Sequence, residues 1–167
     1  MKRVIIFSIV HPVQENGNEW GEEFTRRLAF LIRELQCTVL MEEWGYDGDK
    51  SLLEHFAQQD NIGYTNIGTG TEDAFATFFP IHHPGYHGSL ERLRSDAPSM
   101  SEYGPLLKQE NREKQMCLNI DRTMLNHDCG IVVIGVAHTH SMAMKMYCAG
   151  YEMNIFSWTP SLSSRSG

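Results

Sequence analysis

Three apolar runs of strand length each hand over to a residue that can do chemistry. Val4-Ile5-Ile6-Phe7-Ser8-Ile9-Val10 leads into His11-Pro12, Cys37-Thr38-Val39-Leu40-Met41 into Glu42-Glu43, and Ile131-Val132-Val133-Ile134-Gly135-Val136-Ala137 into His138. Open α/β sheets bind ligands beyond the carboxyl ends of their strands, so these residues are candidates for one site. Imidazole and carboxylate together suit either a divalent transition metal or a general base oriented by an acid. As a metal set, His11, Glu42 and His138 would hold Mn, Co or Zn, which would polarise a carbonyl and lower the pKa of a bound water. Without metal, a His–Glu pair would draw a proton from water or from a substrate hydroxyl. The residues after His138 read as a helix, whose N-terminal N–H groups would welcome an oxyanion. Glu42 and Glu43 point to opposite sides if the strand runs through both. One of them is expected to face the cleft, and Glu42, directly after the apolar run, is preferred.

Other residues could join them. Arg112, in Glu110-Asn111-Arg112-Glu113-Lys114, reads either as part of a solvated helix face laced with Glu/Lys pairs or as a guanidinium fork for a substrate anion or the site glutamate. His82, His83 and His87 cluster in one segment, but their spacing fits no closed zinc motif; they are candidate ligands reaching the site from a covering loop. Ser141 is expected to cap a helix and stands in no nucleophile-elbow motif. Neither GxGxxG nor GxxxxGK[ST] is present, which leaves a dinucleotide fold or a P-loop without support.

The elements that must position these groups follow from periodicity. Trp20, Phe24, Leu28, Leu31 and Leu35 mark an amphipathic helix over about 18–36. Ser51 and Glu54 have capping-box spacing and open a helix to about 59. Residues 61–68 read as a third strand weakened by glycines. Residues 68–104 carry no clear pattern and are expected as an irregular insert that could cover the strand ends. Leu106 to about His127 is helical again, followed by the 131–137 strand, a helix, and a closing strand at Tyr151–Phe156. The expectation is a single α/β domain over 1–157 with a tail at 158–167. Its mostly parallel five-stranded sheet would run in the order 3-2-1-4-5 with helices on both faces. Strands one and four would then be neighbours, bringing His11 beside His138.

Composition narrows the partners. A formal net charge of −7 with no basic stripe argues against a nucleic-acid partner. No apolar run is long enough to span a bilayer, so no membrane association is expected. Met1-Lys2-Arg3 and the apolar residues after it resemble the start of a signal peptide, but no small-residue cleavage site follows and His11-Pro12 interrupts the pattern. Cys37, Cys117, Cys129 and Cys148 form no CxxC pair and read as reduced, mostly buried thiols, which fits a cytoplasmic setting.

Several of these stretches resemble a family. Ser8-Ile9-Val10-His11-Pro12 resembles the opening GTxH-x-P element of the TraB and TIKI group, in the wider erythromycin-esterase/ChaN-like superfamily. Met41-Glu42 resembles the glutamate that ends the second strand there. Asn111-Arg112 resembles the Arg-Asn helix, with the pair inverted. Gly135-Val136-Ala137-His138, a helix and Gly150-Tyr151 look like the closing GxxH–helix–Gly-Tyr element. The resemblance covers roughly 1–60 and 105–157. It implies a site of paired histidines and a glutamate. TIKI-type members are metal-dependent proteases, esterase-type members activate water with a histidine, and ChaN-like members bind haem. The implied function is a hydrolase acting on an ester or peptide-type bond of a small molecule or peptide. The alternatives are a haem- or metal-binding module without catalysis and a degenerate, non-catalytic member; haem would be held by His11, His138 or the 82–87 histidines. Ser8 departs from the pattern by replacing the first glycine of GxxH, and serine restricts close approach to the backbone.

Overall fold

The computed structural model describes residues 1–9, 14, 17–44, 50–68 and 100–160, with side chains from 110 onward in the last segment. His11, His82, His83 and His87 lie outside the described residues, as does most of the expected insert. The elements are β1 (Arg3–Ile9), α1 (Gly21–Leu35), β2 (Val39–Glu42), α2 (Leu52–Gln59), β3 (Gly63–Asn66), α3 (Met100–Met124), β4 (Cys129–Gly135), α4 (Thr139–Cys148) and β5 (Glu152–Ser157). A 3-10 turn, Val136–His138, joins β4 to α4. Ser51 caps α2 as its spacing predicts, accepting from the Glu54 N–H at 3.0 Å. Helix α3 begins at Met100, inside the stretch expected to be irregular.

All five strands are parallel, and their order is β3-β2-β4-β1-β5. The α/β class and the adjacency of β1 and β4 match the expectation, but these two strands have exchanged places. Both are seven-residue apolar strands buried on both faces, so pattern alone cannot say which of them meets β2. Side-chain room decides it. Gly130 on β4 lies opposite Val39 of β2, and a Cβ there would come within 2.6 Å of Met41 Cε and 2.9 Å of Val39 Cγ1. The bulky side chains of β2 fit against a strand that has glycine at this place.

Each sheet face has its own core. Phe24, Leu28 and Leu31 of α1 and Leu53 and Ala57 of α2 cover Ile5, Phe7, Leu40, Ile131 and Val133. On the opposite face, Met116, Ile120 and Met124 of α3 and Met142 and Met146 of α4 cover Val4, Ile6, Met41, Val132 and Ile134. Trp158, expected in the loose tail, is buried. Its ring stacks on Phe24 at 5.7 Å, Phe24 stacks on Phe7 at 5.8 Å, and Arg27 lies over the indole at 5.6 Å. A large apolar ring gains more from that stack than the short polar chain around it gains from solvent.

The helices after β1 and β2 therefore lie on one face, and those after β3 and β4 on the other. The carboxyl end of β4 is flanked on both sides by strands whose helices leave the opposite way. That is the position of a ligand crevice in an open sheet, and it is where His138 stands.

Candidate functional site

Position in the sheet explains which groups meet. β2 pairs with β4 up to Glu42↔Val133, and the Glu43 N–H then donates to the Val133 carbonyl at 3.0 Å. Glu43 thus leaves the sheet beside the turn that carries His138. His138 Nε2 lies 3.6 Å from Glu43 Oε1, and its Nδ1 lies 3.0 Å from Glu113 Oε1. His138, Glu43 and Glu113 are all buried.

Each carboxylate has its own cation. Arg112 Nη2 donates to Glu43 Oε1. Lys145 Nζ donates to Glu113 Oε2 at 2.7 Å, and Ser141 Oγ donates to the same oxygen. The result is a chain of groups from Arg112 through Glu43, His138 and Glu113 to Lys145. Glu43 Oε2 and Arg112 Nε are buried without a hydrogen-bond partner among the described residues. A buried carboxylate oxygen left unpaired is costly, and it commonly marks where a water or ligand group docks.

Glu42, the preferred glutamate in sequence, turns to the other side of its strand. Gln14 Nε2 donates to its Oε1 at 2.7 Å, and Tyr64 OH and Ser51 Oγ donate to its Oε2. Gln14 also donates to the Glu43 carbonyl at 3.2 Å. Glu42 therefore ties the end of β2 to Tyr64 of β3, to Ser51 at the start of α2 and to Gln14. Burial pushes its carboxyl above the ordinary 4.5, while the bonds from Ser51, Tyr64 and Gln14 pull partly back. A folded-state value above the unfolded one means stability that is complete below pH 4.5 and declines as pH rises through the folded value. Glu42→Gln is expected to remove that decline. In urea unfolding between about pH 5 and about pH 8, the variant should gain on wild type as pH rises. A difference that is constant with pH would mean that Glu42 ionises without cost.

Ser8, which departs from the GxxH pattern, is buried and accepts from Thr139 Oγ1 at 2.7 Å. Its hydroxyl fastens β1 to the start of α4. Of the residues singled out in the sequence, the structure brings together His138, Glu43 and Arg112 and places Glu42 in a separate network. It sets Ser141 inside α4 as a donor to Glu113 rather than as the helix cap, a position that His138 takes. His11 and the 82–87 histidines lie outside the described residues. Glu113 and Lys145 were not singled out. Glu113 had a readable signal: it precedes Met116, Ile120 and Met124 by three, seven and eleven positions, so a carboxylate occupies the core-facing stripe of α3.

No family model, curated protein or solved structure matches the chain. The chemistry of the site is the remaining guide. If Nδ1–H of His138 donates to Glu113, the Nε2 lone pair faces Glu43, and two facing acceptors call for a proton donor between them. A metal would need more: Nε2 and the open oxygen of Glu43 make two donors, and no group of three His, Cys, Asp or Glu that could hold an ion occurs among the described residues. Among those residues, too, no helix is long and apolar enough to cross a membrane.

Proposed function

We propose that the chain is a hydrolase of the TraB/TIKI-like kind, in which His138 activates water for attack on an ester or peptide bond. One observation carries this reading: a buried histidine at a strand end, held through Nδ1 by Glu113, with Nε2 turned toward a second carboxylate that has an unpaired oxygen. Water between Nε2 and Glu43 would donate one proton to each. His138 takes the proton as the water oxygen attacks the carbonyl, and Glu113 stabilises the imidazolium that forms. Arg112 holds Glu43 in place and adds positive charge next to where an oxyanion develops. The buried thiols fit a cytoplasmic setting.

The test is a panel of matched small esters and peptides with wild type and Glu113→Gln. Wild type should turn over at least one class. The variant should lose about 100-fold in kcat with little change in KM, and its pH–rate profile should shift, because the amide no longer fixes the tautomer of His138. No turnover by the wild type on either class would sink the proposal. If the open Glu43 oxygen and Nε2 instead served a divalent ion, a third ligand such as His11 would have to come from outside the described residues. Metal analysis of the protein as purified separates that version, since the water-only version expects no stoichiometric ion.

A further inference from the structure

The opposite ends of the same two strands hold a pair of thiols. Cys37 lies two residues before β2, and Cys129 opens β4. Both are buried and free, and their Sγ atoms are 2.9 Å apart. That is closer than two sulfur atoms rest in ordinary contact and not far from bonding. The backbones are already locked next to each other: the Thr38 N–H donates to the Cys129 carbonyl at 3.0 Å. Arg3 is the β1 partner of Cys129, which places a cation beside the pair.

We propose that Cys37 and Cys129 form an oxidation site, joined as a disulfide by a peroxide. In the first step one thiol, as thiolate, attacks a peroxide oxygen. It becomes a sulfenic acid, and the O–O bond breaks to release water. In the second step the other thiol attacks the sulfenic sulfur, the S–S bond forms, and the hydroxyl leaves with the thiol proton as a second water. Two thiols supply the two electrons that reduce the peroxide. Burial, and then the neighbouring thiol, push the Cys37 thiol well up, while Arg3 pulls it down. The first step is therefore slow, and the nearness of the second sulfur makes the next step fast. Of the four cysteines, Cys37 and Cys129 are the pair whose sulfurs meet: the Cys117 sulfur contacts Met142, and Cys148 is exposed on α4.

The bond would fasten β2 to β4 at one end while Glu43 and His138 occupy the other. It would close a separation of 92 residues, which restricts the unfolded chain strongly. The inference does not depend on the hydrolase reading.

The four cysteines fall on four different tryptic peptides: residues 34–50, 115–122, 123–145 and 146–165. The experiment treats the full chain with hydrogen peroxide, alkylates it under denaturing conditions and maps the digest without reduction. The expected product is peptide 34–50 joined to 123–145, lighter by two hydrogen atoms than the sum of both and released by dithiothreitol. The melting temperature should rise by about 10 °C and return on reduction. In Cys37→Ser the joined peptide should vanish and Cys129 should be recovered alkylated. The proposal is overturned if both cysteines of the wild type remain alkylated after Cys148 has been oxidised. It is equally overturned if either one links to Cys117 or Cys148 instead.

Discussion

His138→Ala is expected to reduce kcat/KM on any substrate the wild type hydrolyses by about 1000-fold, a loss of about 4 kcal/mol in transition-state stabilisation. The change removes the group that lies between both carboxylates of the site. Glu43 keeps Arg112, and Glu113 keeps Lys145 and Ser141. Neither charge is stranded, so the structural cost is small, about 1 kcal/mol by the usual worth of a buried hydrogen bond. Kinetics and urea unfolding on the same preparation separate the two effects. Activity lost together with most of the stability would make His138 a structural residue. Activity retained in a folded variant would remove it from the mechanism. Added imidazole gives a further reading, since a free base that restores part of the rate can act only if the missing group served as a base.

The largest effect on stability is expected at Phe24. Its ring lies nearly parallel to Phe7 and Trp158, with interplanar angles of 11° and 7°. It is fully buried at the centre of the core between α1 and the sheet. Phe24→Ala is expected to cost about 4 kcal/mol, combining lost transfer energy with the cavity that remains. The two flanking rings cannot both collapse into the space, because Phe7 is fixed in β1 and Trp158 is held beneath Arg27. Urea unfolding followed by tryptophan fluorescence reads the loss directly. A cost below about 1 kcal/mol would show that the stack does not hold the α1 layer in place. Phe24 lies on the face opposite Glu113 and Lys145, so kcat should remain near wild type wherever the variant is folded.

How far the sequence could be read varies from residue to residue. Strand periodicity and helix stripes lead to the α/β class, the parallel sheet and the adjacency of β1 and β4. The order of the central pair is not in the pattern, because β1 and β4 are equally long and equally apolar. It depends on Gly130 making room for Met41 and Val39, a contact between distant parts of the chain. The same exchange puts β2 directly against β4, so Glu43 meets His138 without an intervening strand. Glu42 illustrates a different limit. Strand alternation says that adjacent glutamates face opposite ways, but it does not say which way the helix-covered cleft lies. That follows from where Gln14, Ser51 and Tyr64 gather. Arg112 and Glu113 read as a charged helix surface because their neighbours Glu110 and Lys114 do form an exposed pair, at 2.9 Å. One turn of the same helix carries solvent charges and site charges side by side. Only the register of Met116, Ile120 and Met124 distinguishes them.

The sheet order also bears on the sequence of events during synthesis. β1 is made first, yet both of its partners, β4 and β5, are made after residue 128. Among the described strands, the one pairing that can be completed before then is β2 with β3, four residues long on each side. A nascent chain of this kind holds β1, seven residues long and largely apolar, without its partners β4 and β5 until β4 emerges. Its contacts are of long sequence separation, which slows folding and prolongs exposure of that segment. Chains stopped before Cys129 should therefore be protease-sensitive and prone to bind chaperones, whereas chains that extend past Trp158 should become resistant in one cooperative step.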